Sequence, residues 1–204
     1  MADRLTRRTA LSLAAAGAFL AAGCRDDSWH SIVLNGALPR LAFEMTRARD
    51  GKLVTQVDYA GRPVLLFFGY THCEDVCPLT IGYLAQVMGL VGPKAQDTAV
   101  LFVTVDPNRD TLPVLNRFLD SLDPQFDALR GTPDQLARLA RRYRVTYKVT
   151  PATATAPYSV QHGPSVYIFD RKGTARLMVP KLYDSTADLA GVAADITRLA
   201  AEKA

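Results

Sequence analysis

Val64-Leu65-Leu66-Phe67-Phe68-Gly69-Tyr70-Thr71-His72-Cys73-Glu74-Asp75-Val76-Cys77-Pro78 is the stretch from which the fold can be read. Val64 to Phe68 is apolar without a polar break, too short for a helix and rich in aromatic residues. That combination predicts a strand buried on both faces. Gly69 ends it. Past Cys77, the residues Ile81, Leu84, Val87, Met88 and Val91 recur at helical spacing until Gly92-Pro93 stops the pattern. Two cysteines therefore stand between a buried strand and the start of a helix. The carboxyl end of a sheet strand is where open α/β folds place their ligand sites.

Working outward, Val100 to Val105 reads as a second buried strand, stopped by Asp106-Pro107. Thr111 can cap a helix with Pro113 in its first turn, burying Val114, Leu115, Phe118 and Leu122. Thr132-x-x-Gln135 is a capping box that opens a further helix through Leu136, Leu139 and Tyr143. Val166 to Phe169 and Ala175 to Val179 flank Asp170-Arg171-Lys172-Gly173 as strand, turn and strand. Ser185-x-x-Asp188 has the spacing to open a last helix along Leu189, Val192, Ile196 and Leu199. Thr150 to Pro157, low in complexity, reads as a surface loop. Strands alternating with helices, then a hairpin and a terminal helix, predict an α/β domain with a central mixed sheet flanked by helices.

The chain has 204 residues, 49% of them hydrophobic, which suits one globular domain plus a short accessory segment. Its formal charge of +4 owes much to Arg4, Arg7 and Arg8 near the start, and the remaining surface is nearly balanced. Nothing in it favours nucleic acid as a partner. Arg4 to Arg8 precede an apolar run, Leu11 to Ala22, that is too short to span a membrane comfortably. Small residues then lead to a cysteine in Ala21-Ala22-Gly23-Cys24. A basic region, a short apolar region and small residues describe a secretory signal. Its end resembles a bacterial lipobox, in which the cysteine is acylated, and Thr6 to Leu11 resembles a twin-arginine signal. The expectation is a signal at residues 1–23, a lipid on Cys24, a linker over 24–38 and a folded domain over 39–204. The alternative is an uncleaved signal anchor. Either places the domain on the extracytoplasmic, periplasmic side of a membrane in a bacterial envelope.

Cys73 and Cys77 share a face if their segment is already helical, so their sulfurs can hold one metal ion or close a disulfide. Helix N-terminal amides favour the thiolate that both chemistries need. Paired thiolates select soft ions such as Cu(I), Zn or iron–sulfur clusters, and structural zinc would want a second Cys or His pair. Glu74 and Asp75 add negative charge, which favours a cation and opposes thiol ionisation. A third ligand must come from His30, His72 or His162. His30 lies in the expected linker and His72 points off the shared face. On spacing alone, His162 is as readily an exposed or capped side chain before a strand as a ligand. Asp106, Arg109 and Asp110 follow the second buried strand and read as a turn held by local polar contacts, with partner docking the weaker alternative.

Phe67-Phe68-Gly69-Tyr70-Thr71-His72-Cys73-Glu74-Asp75-Val76-Cys77-Pro78 resembles the signature of the Sco/SenC family. Phe102-Val103-Thr104-Val105-Asp106-Pro107-Asn108-Arg109-Asp110-Thr111 resembles its second motif and Gly131-Thr132-Pro133-Asp134-Gln135 its third. The likeness runs in order from about Phe43 to the C-terminus. It implies a thioredoxin-like fold and a copper ion held by Cys73, Cys77 and, by matching position, His162. It further implies delivery of copper, or of reducing equivalents, to the binuclear copper centre of cytochrome c oxidase. The chain departs from the family at Gln161, where an acidic residue is usual, and at Glu74, where proline is common. Relative to Asp170, Pro164 falls where other thioredoxin-like proteins carry a cis-proline. The expected role is therefore a copper metallochaperone acting on a copper-accepting oxidase subunit. The rival is an enzyme, a thiol–disulfide reductase using Cys73 and Cys77 as a redox pair. A peroxidase is excluded, because Tyr70 and Leu66 occupy the positions where that motif needs threonine and proline.

Overall fold

In a computed structural model of the chain, the described residues are 28–120, 122 and 124–203. The expected signal segment and Cys24 lie outside them. The strands are β1 (Ile32–Val33), β2 (Glu44–Arg47), β3 (Leu53–Thr55), β4 (Val64–Gly69), β5 (Ala99–Thr104), β6 (Phe126–Arg130), β7 (Tyr147–Thr150), β8 (Ser159–His162), β9 (Val166–Phe169) and β10 (Ala175–Val179). The α-helices are α1 (Val76–Val91), α2 (Leu112–Leu119), α3 (Pro133–Arg142) and α4 (Leu189–Ala201). Eight strands form one sheet in the order β1-β10-β9-β4-β5-β6-β2-β3, while β7 and β8 pair separately.

β4 lies inside this sheet, parallel to β5 and antiparallel to β9, so the sheet is mixed. Its alternating side chains divide between two cores. Leu65 and Phe67 join Phe102 and Ile168 against Leu84, Met88, Ile196 and Leu199 of α1 and α4. Leu66 and Phe68 join Leu101 and Val103 against Leu136 and Leu139 of α3. Helices cover both faces, and each such side chain contributes roughly 1.5–3 kcal/mol on burial. That double coverage explains the unbroken apolar run and brings Gly69 to the carboxyl end of a buried strand, next to the cysteines.

Several boundaries differ from expectation. Part of the expected linker is in the sheet: Ile32 pairs with Met178 and Val33 with Leu177. Both β1 residues are exposed, so no burial pattern marked the strand. The last helix is capped by Asp188, whose carboxylate accepts from the Gly191 amide, and not by Ser185. The Thr132–Gln135 capping box forms as expected. β2, β3, β6 and the β7–β8 hairpin were not anticipated. β6 has the sequence Phe-Asp-Ala-Leu-Arg, and its Asp127 is buried against the Arg49 guanidinium (2.6 Å) and the Tyr59 hydroxyl (2.9 Å). A charge inside a buried strand hides it from a hydrophobic pattern.

Candidate metal centre

Cys73 and Cys77 are unlike each other because only one is helical. α1 begins at Val76, so Cys73 lies in the turn before it and the expectation of a shared helical face is corrected. Asp75, at the cap position, makes no side-chain capping bond. The Cys73 sulfur takes that role, accepting the Cys77 amide at 3.5 Å. A helix start leaves its first amides without intrahelical partners, and a thiolate is a good acceptor for them. Burial pushes the Cys73 thiol up, but the amides of Cys77 and Asp75, the Cys77 thiol and the Tyr70 hydroxyl outweigh it, so its pKa is lowered. Cys77, fully buried, is pushed well above the ordinary thiol range by burial, with the Tyr70 amide opposing and the neighbouring Cys73 adding to the rise. Of the two opposed influences expected from the sequence, the amides outweigh the charge of Glu74 and Asp75 at Cys73. Glu74 and Asp75 project into solvent, where their charge acts weakly, whereas the amides touch the sulfur.

Gly69 makes room for this arrangement. A Cβ there would stand 2.6 Å from Phe102 Cε2 and 3.0 Å from Cys77 Sγ. Tyr70 follows, with its ring edge-on to His162 at 5.8 Å. Its hydroxyl pKa is pushed up to about 12, first by burial and then by Cys73.

His162 arrives from the other direction, at the end of β8. Its Nδ1 lies 3.0 Å from the Gly163 carbonyl oxygen and its Nε2 lies 3.2 Å from Cys77 Sγ. An Nδ1–H that donates to the carbonyl leaves the Nε2 lone pair facing the thiols. Burial pushes the His162 pKa down, with the Gly163 contact opposing, which favours the uncharged, ligand-competent ring. Gln161 is exposed, while Val160 on the other face of the strand is buried. The contact that orients the imidazole is with the Gly163 carbonyl, while Gln161, which stands where the family usually has an acidic residue, faces solvent. The Gly163–Pro164 bond is trans, like every described peptide bond, which corrects the cis-proline comparison.

The structure brings Cys73, Cys77 and His162 together, their donor atoms all within 4.8 Å of one another. With metal–sulfur bonds of about 2.3 Å and metal–nitrogen bonds of about 2.0 Å, three donors of one ion stand about 4 Å apart. Small side-chain adjustments would therefore bring donors that all lie within 4.8 Å of one another onto a single ion. Two sulfurs and one imidazole form a soft donor set suited to Cu(I), and among the described residues no further His, Cys, Asp or Glu joins them. His72 is not in the trio. It is about half exposed, with Nδ1 3.0 Å from Thr71 Oγ1 and 3.6 Å from Asp110. His30 bonds Asp188 at 3.1 Å, on the N-terminal arm.

Asp106 and Asp110, both fully buried, do more than close a local turn. Asp110 accepts from the Thr71 amide (3.0 Å), the Thr71 hydroxyl (2.6 Å) and the Thr104 hydroxyl (2.6 Å), tying the cysteine loop to β5. Asp106 accepts from the Tyr158 hydroxyl at 2.7 Å and pairs with Arg109. The second motif thus contacts both ligand-bearing segments. Two aspartates just past the end of a buried strand were the signal that the sequence offered for this, but their burial and most of their partners appear only in the fold.

The family model described as SCO1/SenC matches residues 38–201. Protein SenC of Rhodobacter capsulatus is 36% identical over 129 residues, covering 61% of this chain and 56% of that protein. The mitochondrial SCO2 homolog of Bos taurus is 35% identical over 125 residues, covering 60% and 47%. The chain thus spans about half the length of these curated relatives. Copper-bound ScoI of Bradyrhizobium japonicum is 34% identical with a TM-score of 0.69, covering 78% of this chain and 98% of that one. Apo Sco1 of Thermus thermophilus is 26% identical with a TM-score of 0.72, covering 84% and 97%. The fold is thioredoxin-like, as in these structures, and with its matching motifs in order on that scaffold the chain belongs to the SCO1/SenC family.

Proposed function

We propose that this domain binds one copper ion through Cys73, Cys77 and His162 and carries it, as cargo, to the binuclear copper site of a cytochrome c oxidase subunit. The observation behind this reading is the convergence of two thiols and an imidazole within 4.8 Å. The copper bound to ScoI of Bradyrhizobium japonicum supports the choice of ion, and family membership supports the oxidase as destination. The test is anaerobic Cu(I) loading of the full chain, desalting and metal analysis, followed by incubation with the copper domain of an oxidase subunit. One copper per chain that moves to the acceptor is expected. Loss of copper on desalting overturns the reading.

The thiols also favour a second reading. Cys73 is partly exposed with a lowered pKa, while Cys77 beneath it is buried with a raised one. That is the asymmetry of an attacking and a resolving thiol. The Cys73 thiolate would attack an acceptor disulfide, expelling one acceptor thiolate and forming a mixed disulfide. Cys77, losing its proton, would then attack Cys73 Sγ, expelling the second thiolate and leaving a Cys73–Cys77 disulfide. Two electrons pass to the acceptor. Fast reduction of an oxidised acceptor by a chain that does not retain copper would select this reading.

Attachment through a lipid on Cys24, on the periplasmic side of a bacterial membrane, completes the proposal. The described contacts begin a few residues later, where Trp29 lies against Arg198 (4.1 Å) and the Ser31 amide donates to Asp195 (2.8 Å). In this reading the lipid on Cys24 would stand four residues of sequence before Ser28 and hold the domain near the membrane surface. Mass spectrometry finding an unmodified Cys24 within an intact N-terminus would restore the signal anchor.

A further inference from the structure

His162 ends β8, which pairs with β7 in a hairpin outside the eight-stranded sheet. The main sheet reaches only to Val166 of β9, opposite Phe67 of β4, and residues 163–165 lead back from it to His162. The ladder therefore brings the chain near the thiols but does not fix the β8 hairpin or the imidazole itself. Val160 is buried, and Tyr147, Val149 and Tyr158 pack against the second core, which gives the hairpin a resting place. Apolar packing is non-directional, however, and does not fix the imidazole to a fraction of an ångström.

We propose that the turn from Asp106 to Asp110 is a bracket that sets the position of His162 over the thiols, with Asp106, Arg109 and Tyr158 as positioning residues. This rests on the metal-binding reading of the trio. One arm is Asp110, which holds Thr71 of the cysteine loop through two hydrogen bonds. The other arm is Asp106, which accepts from the Tyr158 hydroxyl at 2.7 Å, four residues before His162. The arms are joined within one turn, where the Asp110 amide donates to the Asp106 carbonyl at 3.0 Å. Arg109 locks the second arm. Its Nε donates to Asp106, and its guanidinium lies 4.1 Å from the centre of the Tyr158 ring and 5.8 Å from that of Tyr70. Tyr70 in turn meets the His162 ring edge-on. The turn is held from below by Arg130, which donates through Nε (3.1 Å) and Nη2 (2.8 Å) to the Pro107 carbonyl.

The chemistry suits positioning. A hydrogen bond from a hydroxyl to a buried carboxylate is directional and costly to leave unmade, so it restricts the hairpin where apolar contact does not. A guanidinium close over the Tyr158 ring and within cation–π reach of the Tyr70 ring links the hairpin to the cysteine loop. Tyr158 and Arg109 touch no donor atom of the trio, and they act through the placement of His162.

The test uses the full chain as Tyr158→Phe and, separately, Arg109→Lys, with thermal unfolding as the check on folding. In the metal-free parent, imidazole-detected NMR should show His162 as one sharp tautomer with its proton on Nδ1. Either variant should broaden that signal and mix the tautomers. Loaded with Cu(II), the variants should lose nitrogen hyperfine splitting toward the spectrum of His162→Ala, with copper affinity down about tenfold. A His72→Ala control should change neither readout. If both folded variants keep a single sharp His162 tautomer and parental affinity, the bracket does not position the ligand. If the parent fails to hold copper, the metal reading falls, and the His162 tautomer in the metal-free variants still decides the positioning.

Discussion

Cys77 Sγ lies 3.2 Å from His162 Nε2, a contact between residues 85 positions apart that turns a thioredoxin-like cysteine pair into a three-donor site. The thiol can donate to the imidazole lone pair in the metal-free protein, and a metal ion would take the same sulfur and nitrogen as ligands, with the two moving apart to admit it. Metal binding then releases the proton.

Replacing donors should separate them from bystanders. Cys73→Ala, Cys77→Ala and His162→Ala are each expected to weaken copper retention strongly, while His72→Ala and His30→Ala leave it unchanged. Competition against a Cu(I) chelator measures this. His72 hydrogen-bonds Thr71 and His30 sits on the far arm, so neither has a donor at the trio. Equal loss from His72→Ala with none from His162→Ala would assign the wrong histidine.

Alkylation should be asymmetric in the metal-free protein. Amide donation lowers the Cys73 pKa and burial raises that of Cys77, so iodoacetamide should modify Cys73 first. A lowered pKa means the thiolate persists to lower pH, and the Cys73 rate should reach half its maximum below the ordinary thiol range. Cys77 should stay unmodified until the fold opens. Copper should slow modification of Cys73, and peptide mapping of the adducts reads each site. Equal rates at both cysteines would contradict the geometry.

Gly69→Ala should disturb both core and site. The new methyl would meet Phe102 at 2.6 Å and Cys77 Sγ at 3.0 Å, and the backbone of a central strand cannot easily retreat. Overpacking of this kind typically costs about 1–3 kcal/mol, and the displaced sulfur should weaken copper retention. Chemical denaturation and chelator competition on the same variant provide the two numbers. A variant with parental stability and affinity would show that the contact relaxes freely.

Asp110→Ala should loosen the cysteine loop selectively. It leaves the Thr71 amide and the hydroxyls of Thr71 and Thr104 without their carboxylate acceptor. Hydrogen bonds to charged groups contribute about 1.5–3 kcal/mol each, so a loss on the order of 3 kcal/mol is expected. Hydrogen exchange at the Thr71 amide should accelerate well beyond that of the β4 amides. Uniform acceleration of both would point to a general loss of stability and not to a loop tether.

The strand β4 and helix α1 were legible because their signals are local. Val64 to Phe68 is buried on both faces, and Ile81 to Val91 repeats with the helical period, so composition alone placed Cys73 and Cys77 between them. The choice of His162 had no such signal, and came from resemblance to a family and not from spacing. β7 and β8 are half-exposed strands of four residues each, with neither a continuous apolar run nor a long alternation. Their place over the thiols depends on the Tyr158–Asp106 bond and on packing against the second core, which link residues far apart in the chain. The two aspartates of the second motif show the same division. In sequence they read as a turn held by local polar contacts, and only the folded chain buries them against Thr71, Thr104, Arg109 and Tyr158. Periodicity and capping report on neighbours in sequence, whereas the unequal thiols and the third donor arise from burial and hydrogen bonds that exist only once distant segments meet.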